Sequence, residues 1–166
     1  MARSKQPGPD SANDSGGEWL RLDRQLCFAL YSSSLAMTKL YKPLLEPLGL
    51  TYPQYLVMLV LWEQDNISVS TLGQRLSLDS GTLTPLLKRL ETAGLIERRR
   101  AADDERRVDI RLSAAGTALR AAAQSIPSRL ACASACTLDE LTTLTQRLHS
   151  LRTQLADAAI SPPTSN

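Results

Sequence analysis

The chain predicts a mainly α fold: a winged helix-turn-helix with a small β-hairpin wing and long terminal helices. Three observations carry that expectation. Apolar residues recur at helical spacing over most of the 166 residues, and Leu and Ala supply most of the apolar weight, which favours helix over sheet. Two short helical segments meet at a tight turn, the second polar and basic on its outer face. The period then switches to alternation over a short arginine-rich stretch.

Taken in order, residues 1–17 are rich in Gly, Ser, Pro, Asp and Asn without a hydrophobic pattern and are expected to be a disordered tail, as are residues 161–166. From about Glu18 to Leu45, Leu22, Leu26, Leu30, Met37, Leu40 and Leu44 predict one helix, broken or closed by Pro43 and Pro47. Pro53 suits a first helical turn, so a second helix runs to about Glu63. It is apolar almost throughout, which predicts burial. Ser68 to Leu76 reads as a short capped helix, Leu78 to Gly81 as a turn, and a further helix runs to about Thr92, with Gly94 as its stop. Leu83, Leu86, Leu87 and Leu90 share one face, leaving Thr82, Thr84, Pro85, Lys88 and Arg89 outside. A helix capped at Asp79 puts Pro85 beyond the first turn, where a backbone bond is lost; a cap at Thr82 avoids that. Both starts remain open.

Val108, Ile110 and Leu112 alternate with Arg107, Asp109 and Arg111, a half-buried strand whose partner is Leu95 to Arg100 across a turn at Ala101 to Glu105. Ser113 to Gly116 caps another helix reaching about Ile126, where Pro127 interrupts it. Thr137 and Glu140 have capping-box spacing, and Leu141, Leu144, Leu148, Leu151 and Leu155 stripe the last helix. The expected organisation is one domain over 18–160. In it, 18–50 and 113–160 hold the long terminal helices and 53–112 the winged helix.

Composition narrows the function. A net charge of +2 and a pI near 8.5 permit a nucleic-acid partner without demanding one, so the placement of charge decides. No apolar run approaches the roughly 18 residues of a membrane span, and the N-terminus has no apolar signal core. The expectation is a cytoplasmic protein with no membrane partner, its three cysteines reduced. No glycine-rich phosphate loop and no carboxylate pair at catalytic spacing is present, so neither an enzyme nor a cofactor is expected. Cys132, Cys136 and His149 could form part of a metal site, but they lack a fourth ligand and the usual spacing, so no metal is expected.

A helix-turn-helix followed by a charged hairpin is suited to DNA. One helix enters the major groove, and arginines of the hairpin (Arg98, Arg99, Arg100, Arg106 and Arg107) reach a minor groove that concentrates negative potential. Asp104 can pair with Arg106 and fix its direction.

The segment from Leu78 to Glu91, followed by Gly94-Leu95-Ile96 and Asp103-Asp104-Glu105-Arg106-Arg107, resembles the MarR family of bacterial repressors. Leu26-Cys27-Phe28-Ala29-Leu30-Tyr31 and Tyr41-Lys42-Pro43-Leu44-Leu45 resemble its organic hydroperoxide resistance regulators, and the likeness spans about residues 20 to 158. The resemblance implies a homodimer with interleaved terminal helices that binds a pseudo-palindromic operator and is induced by organic hydroperoxide. Ser80, Gly81, Thr82, Thr84, Pro85 and Arg89 then face the groove, with Lys88 beside them, and Asp104 and Arg106 serve the wing.

Cys27 by itself suits a small buried hydrophobe. Tyr31 lies one turn on and faces the same way. Tyr41, fourteen positions on, returns to within about 40° of that direction but about 21 Å along the axis. It cannot touch Cys27 of its own chain along a straight helix; an antiparallel two-fold partner would bring it there. The resemblance implies that Tyr41 and Tyr52 of the partner subunit stabilise the Cys27 thiolate, which a peroxide oxidises to sulfenic acid. It further implies that Cys132 resolves this as an intersubunit disulfide, with Cys136 a spare or alternate. Two rivals stand beside this expectation: a thiol peroxidase using Cys27, and a repressor that binds a phenolic ligand without covalent chemistry.

Overall fold

The structure is a computed structural model that describes residues 18–100 and 107–160. The expected tails, the hairpin turn, and with it Asp104 and Arg106, lie outside the described residues. The chain divides into two compact units between Lys39 and Leu40.

The single helix expected from Glu18 is corrected. A 3-10 turn at Leu22–Arg24 comes first, Gln25 is extended (φ −84°, ψ 114°), and helix α1 spans Leu26–Leu45. Glu18 and Trp19 are helical, but residues 18–24 are all exposed, so no packing joins them to α1 across Gln25. Their polar groups close locally instead: Arg21 pairs with Asp23, Arg24 with Glu18, and the Gln25 amide donates to the Trp19 carbonyl. Pro43 does not break α1; it lies within the last turn, where the buried Leu44 and Leu45 offset its missing backbone bond. Pro47 sits in a 3-10 turn, Glu46–Leu48, closed by Gly49 at φ 64°.

In the second unit, α2 (Tyr52–Glu63) is buried along most of its length, as its composition predicts. Gln54 anchors its start by accepting from the Thr51 N–H at 2.8 Å. A strand of two residues, β1 (Ile67–Ser68), follows; it is too short to leave a periodic signal and was not expected. Ser68 then caps α3 (Val69–Leu76), accepting from the Thr71 N–H at 3.1 Å. Ser77 adopts the left-handed conformation (φ 55°) and turns the chain into α4 (Ser80–Thr92). Asp79 is the cap of α4, accepting from both the Thr82 N–H and the Thr82 hydroxyl at 2.9 Å. The later start at Thr82 is therefore excluded, and Pro85 stands inside the helix.

Gly94, at φ 70°, lets the Leu95 N–H return to the Leu90 carbonyl at 3.0 Å and stops α4. Strands β2 (Ile96–Arg100) and β3 (Val108–Leu112) pair antiparallel, with Arg98 opposite Ile110; β1 adds to the other edge of β3, with Ile67 opposite the same Ile110. Ser113 caps α5 (Ala114–Ala123) and donates to the Gly94 carbonyl at 2.6 Å. The helix ends before Ile126, and Pro127 opens α6 (Ile126–Ser134) rather than interrupting its predecessor, since proline fits a first helical turn. Ala135, left-handed at φ 54°, stops α6. The expected capping box of Thr137 and Glu140 starts α7 (Leu138–Ile160).

The core of this unit gathers Val57, Met58 and Leu61 of α2, Leu72 of α3, Leu83, Leu87 and Leu90 of α4, and Ile96 and Ile110 of the sheet. Trp62 donates its indole N–H to the Gly116 carbonyl at 2.9 Å, tying α2 to α5. Among the described residues no single helix is long and apolar enough to cross a membrane.

A Cβ added at Gly116 would stand 2.0 Å from the Leu95 carbonyl oxygen, whereas one at Gly94 would meet no atom within 4 Å. Gly116→Ala should cost at least about 2 kcal/mol by forced displacement of backbone, and Gly94→Ala about 1 kcal/mol by left-handed strain alone. Urea unfolding of the two variants checks the order.

Candidate nucleic-acid interface and thiol site

Helix α4 separates its residues sharply. Leu83, Leu87 and Leu90 are buried, while Ser80, Gly81, Thr82, Thr84, Pro85, Lys88 and Arg89 are all exposed. Every helix residue expected to meet DNA thus lies on one solvent face. Pro85 has no N–H for the Gly81 carbonyl one turn back. Thr84 binds the neighbouring Ser80 carbonyl through its hydroxyl at 2.7 Å. Pro85, Lys88, Arg89 and Thr92 line a shallow depression of about 300 Å³ on this face.

The base of the wing stands beside the start of α4. A groove of about 800 Å³ lies between α3, the Ser77–Ser80 turn and the strands, lined by Ser70, Gln74, Asp79, Arg98 and Arg107 among others. Two wing arginines bind carboxylates beside them: Arg99 holds Glu97 at 2.6 Å and Arg107 holds Asp109 at 3.2 Å. Arg98 differs. It is half-buried, and its Nε is buried without a hydrogen-bond partner among the described residues. Sequence periodicity placed Arg98 in a strand but carried no sign of this groove, which three separate segments assemble.

In the first unit, Cys27 is a free, exposed thiol one turn before the exposed Tyr31 on α1. Leu26, Phe28 and Leu35 are also exposed. In the second unit, the Tyr41 and Tyr52 rings touch at a tilt of 39° with centroids 4.7 Å apart, and the Tyr55 ring lies 5.9 Å from Tyr41. The sequence reading passed over Tyr55; its signal was the three-residue spacing from Tyr52 on one helix. Burial first, then the neighbouring phenols of Tyr52 and Tyr55, push Tyr41 up to about 12. Burial also raises Tyr52 and Tyr55. All three phenols therefore remain protonated donors at neutral pH.

Cys132 is exposed on α6, and Cys136 is half-buried just beyond it, its thiol donating to the Ser134 carbonyl at 3.4 Å. Among the described residues no three of His, Cys, Asp or Glu come together to hold a metal ion.

Two pH responses follow. The Thr82 backbone N–H, and after it the Thr82 hydroxyl, hold the Asp79 carboxyl below its ordinary 3.8. A depressed carboxylate stabilises the fold above its unfolded value, and the gain is lost as pH falls through the folded one. Asp79→Ala should lower the thermal midpoint at pH 7, and the gap to the parent should close in acid below 3.8. Tyr41 has the opposite sign. Its contribution is intact below its ordinary 10.0 and is lost as pH rises towards about 12. Tyr41→Phe should flatten the alkaline loss of stability over that interval, read by circular dichroism.

Known proteins share this architecture. The family model for the transcriptional regulator SarA/Rot matches residues 39–122. The organic hydroperoxide resistance transcriptional regulator of Bacillus subtilis is 53% identical over 111 residues, covering 67% of this chain and 76% of its own length. The HTH-type transcriptional regulator TtmR of Methylorubrum extorquens is 48% identical over 134 residues, 81% of this chain and 69% of its own. Among solved structures, AbfR of Staphylococcus epidermidis superimposes with a TM-score of 0.70 at 36% identity, covering 86% of this chain and 98% of AbfR. AbfR is also solved reduced and bound to DNA (TM-score 0.63, 35% identity, covering 84% and 98%) and in a disulfide form (TM-score 0.56, 37% identity, covering 82% and 96%). These relatives are named as regulators, not as peroxidases. The chain belongs to the MarR family of winged-helix transcriptional regulators, in the branch of the organic hydroperoxide resistance regulators.

Proposed function

We propose that the chain is a homodimeric repressor that binds a pseudo-palindromic operator and releases it when an organic hydroperoxide oxidises Cys27. The observation that carries this reading is a free, exposed Cys27 set among exposed apolar side chains, in a chain whose α4 presents an unbroken polar and basic face. The exposed Leu144, Leu148 and Leu155 of α7, with Leu26 and Leu35 of α1, supply apolar surface for a second copy. Tyr41 and Tyr52 of the partner subunit serve as donors to the thiolate, with Tyr31 near it in the chain's own helix. Ser80, Gly81, Thr82, Thr84, Pro85, Lys88 and Arg89 face the major groove, and Asp104 and Arg106 the minor groove.

In the chemical step the Cys27 thiolate attacks one peroxide oxygen. A sulfur–oxygen bond forms, the oxygen–oxygen bond breaks, and the leaving alkoxide takes a proton to become an alcohol. Cys132 of the partner subunit then attacks the sulfenic sulfur, forming a disulfide and releasing water. That bond needs Cα atoms within about 7 Å. Drawing the helices together moves the two α4 helices off the spacing of about 34 Å that one DNA turn requires. The existence of AbfR in reduced DNA-bound and disulfide forms supports the scheme.

A second reading has its own observation: the groove beside α4, lined by Arg98 and Arg107 with Ser70 and Gln74, suits a phenolic small molecule bound without covalent chemistry.

Operator binding by reduced protein and by protein treated with cumene hydroperoxide separates the two. Oxidation should weaken binding by roughly tenfold or more, with mass spectrometry placing the modification on Cys27. Cys27→Ser should hold DNA under both conditions; release from that variant would favour the second reading. Cys132→Ser should bind DNA normally and lose the dimer band on non-reducing gels. A persisting band would assign the resolving role to Cys136.

A further inference from the structure

We propose that Tyr41 and Tyr52 form a one-electron oxidation site, at which alkoxyl radicals join the two rings through a carbon–carbon bond. The inference uses no cysteine and stands apart from the thiol chemistry above.

The second unit has four aromatic residues, and all of them form one string. Tyr52 lies 4.7 Å from Tyr41, Tyr41 lies 5.9 Å from Tyr55, and Tyr55 lies 6.2 Å from Trp62. The first pair is the tightest, at the close end of the range for touching rings. Leu44, Leu45 and Leu50, all buried, lie on the ten-residue segment between the two tyrosines and anchor it. None of the three phenols donates a hydrogen bond among the described residues. Tyr41 and Tyr52 are half-exposed, so an alkoxyl radical can reach either phenol O–H. Tyr55 is only 3% exposed, and the Trp62 N–H is already bound to Gly116. Tyr31, in the first unit, has no partner ring among the described residues.

The chemistry balances with one named co-reactant. Ferrous iron splits an organic hydroperoxide into an alkoxyl radical and hydroxide and becomes ferric. Each alkoxyl radical takes one hydrogen atom from a phenol, leaving a tyrosyl radical and an alcohol. Two tyrosyl radicals couple at ring carbons beside the oxygens, and the displaced ring protons return to those oxygens. The product is two hydrogen atoms lighter than the pair. Holding the rings in contact favours coupling within the chain over encounters between molecules.

Trypsin does not cut between Lys42 and Pro43, so Tyr41, Tyr52 and Tyr55 stay on one peptide, Leu40–Arg75. The full chain is treated with cumene hydroperoxide and ferrous iron at a dose that oxidises Tyr31. The expected result is a Leu40–Arg75 peptide lighter by two hydrogen atoms, with dityrosine fluorescence. Both signals should fall at least tenfold in Tyr52→Phe and in Tyr41→Phe and persist in Tyr55→Phe. The proposal is overturned if the peptide is unchanged at that dose, if the product survives Tyr52→Phe, or if it joins two chains at doubled peptide mass.

Discussion

The contact of Gly116 with the Leu95 carbonyl is the constraint on which the second unit depends. Only a residue without Cβ fits there. The first turn of α5 is thereby pressed onto the foot of β2, and three hydrogen bonds keep it in place. Ser113 gives its N–H to Leu95 and its hydroxyl to Gly94, and Trp62 grips the Gly116 carbonyl from α2. Each bond contributes about 1 kcal/mol net. Their joint effect is geometric: the wing strands, the end of α4 and the buried α2 share one junction.

That junction leaves α4 free to divide its surface. Burial of Leu83, Leu87 and Leu90, at about 1.5 to 3 kcal/mol each, holds the helix chiefly by its inner face. The outer face can then tolerate Pro85, which withholds a backbone bond from the first half of the helix. Asp79 offsets part of that loss by capping the end where helix N–H groups are otherwise unsatisfied. Thr82 shares in that cap; Lys88 and Arg89, exposed on the same face, are available for a nucleic-acid backbone and groove.

The tyrosine cluster shows the same separation of roles. Burial of the rings contributes stability, while the hydroxyls remain protonated and without acceptors among the described residues. A phenol kept neutral is a donor for a charged partner. A phenol kept in contact with a second phenol is a trap for a radical. The two chemistries share the tyrosines but not the oxidised atom: a two-electron oxidant changes the sulfur, and a one-electron oxidant changes the ring.

Much of this was legible in the sequence, because it depends on local chemistry. The spacing of Leu83, Leu87 and Leu90, the box of Thr137 and Glu140, the apolar run of α2 and the alternation through Ile110 each specify an element within a few residues. Prolines were legible only in part. Pro43 and Pro127 were expected to end helices; Pro43 lies within the last turn of one and Pro127 opens another, because packing of Leu44 and Leu45 and a free first turn decide what a proline does. The cap of α4 was undecidable from spacing, since Asp79 and Thr82 both qualify; the structure chose Asp79 because its carboxylate reaches the Thr82 N–H and hydroxyl together. The sequence by itself determined which residues could act: one cysteine on an apolar helix, tyrosines within twenty-five positions of it, and a basic face opposite a leucine face. Only the tertiary structure decided that Tyr41 meets Tyr52 and Tyr55, that Arg98 lines one groove with α3 and the Ser77–Ser80 turn, and that Gly116 locks the wing. Those are contacts between segments distant along the chain, and no local period encodes them.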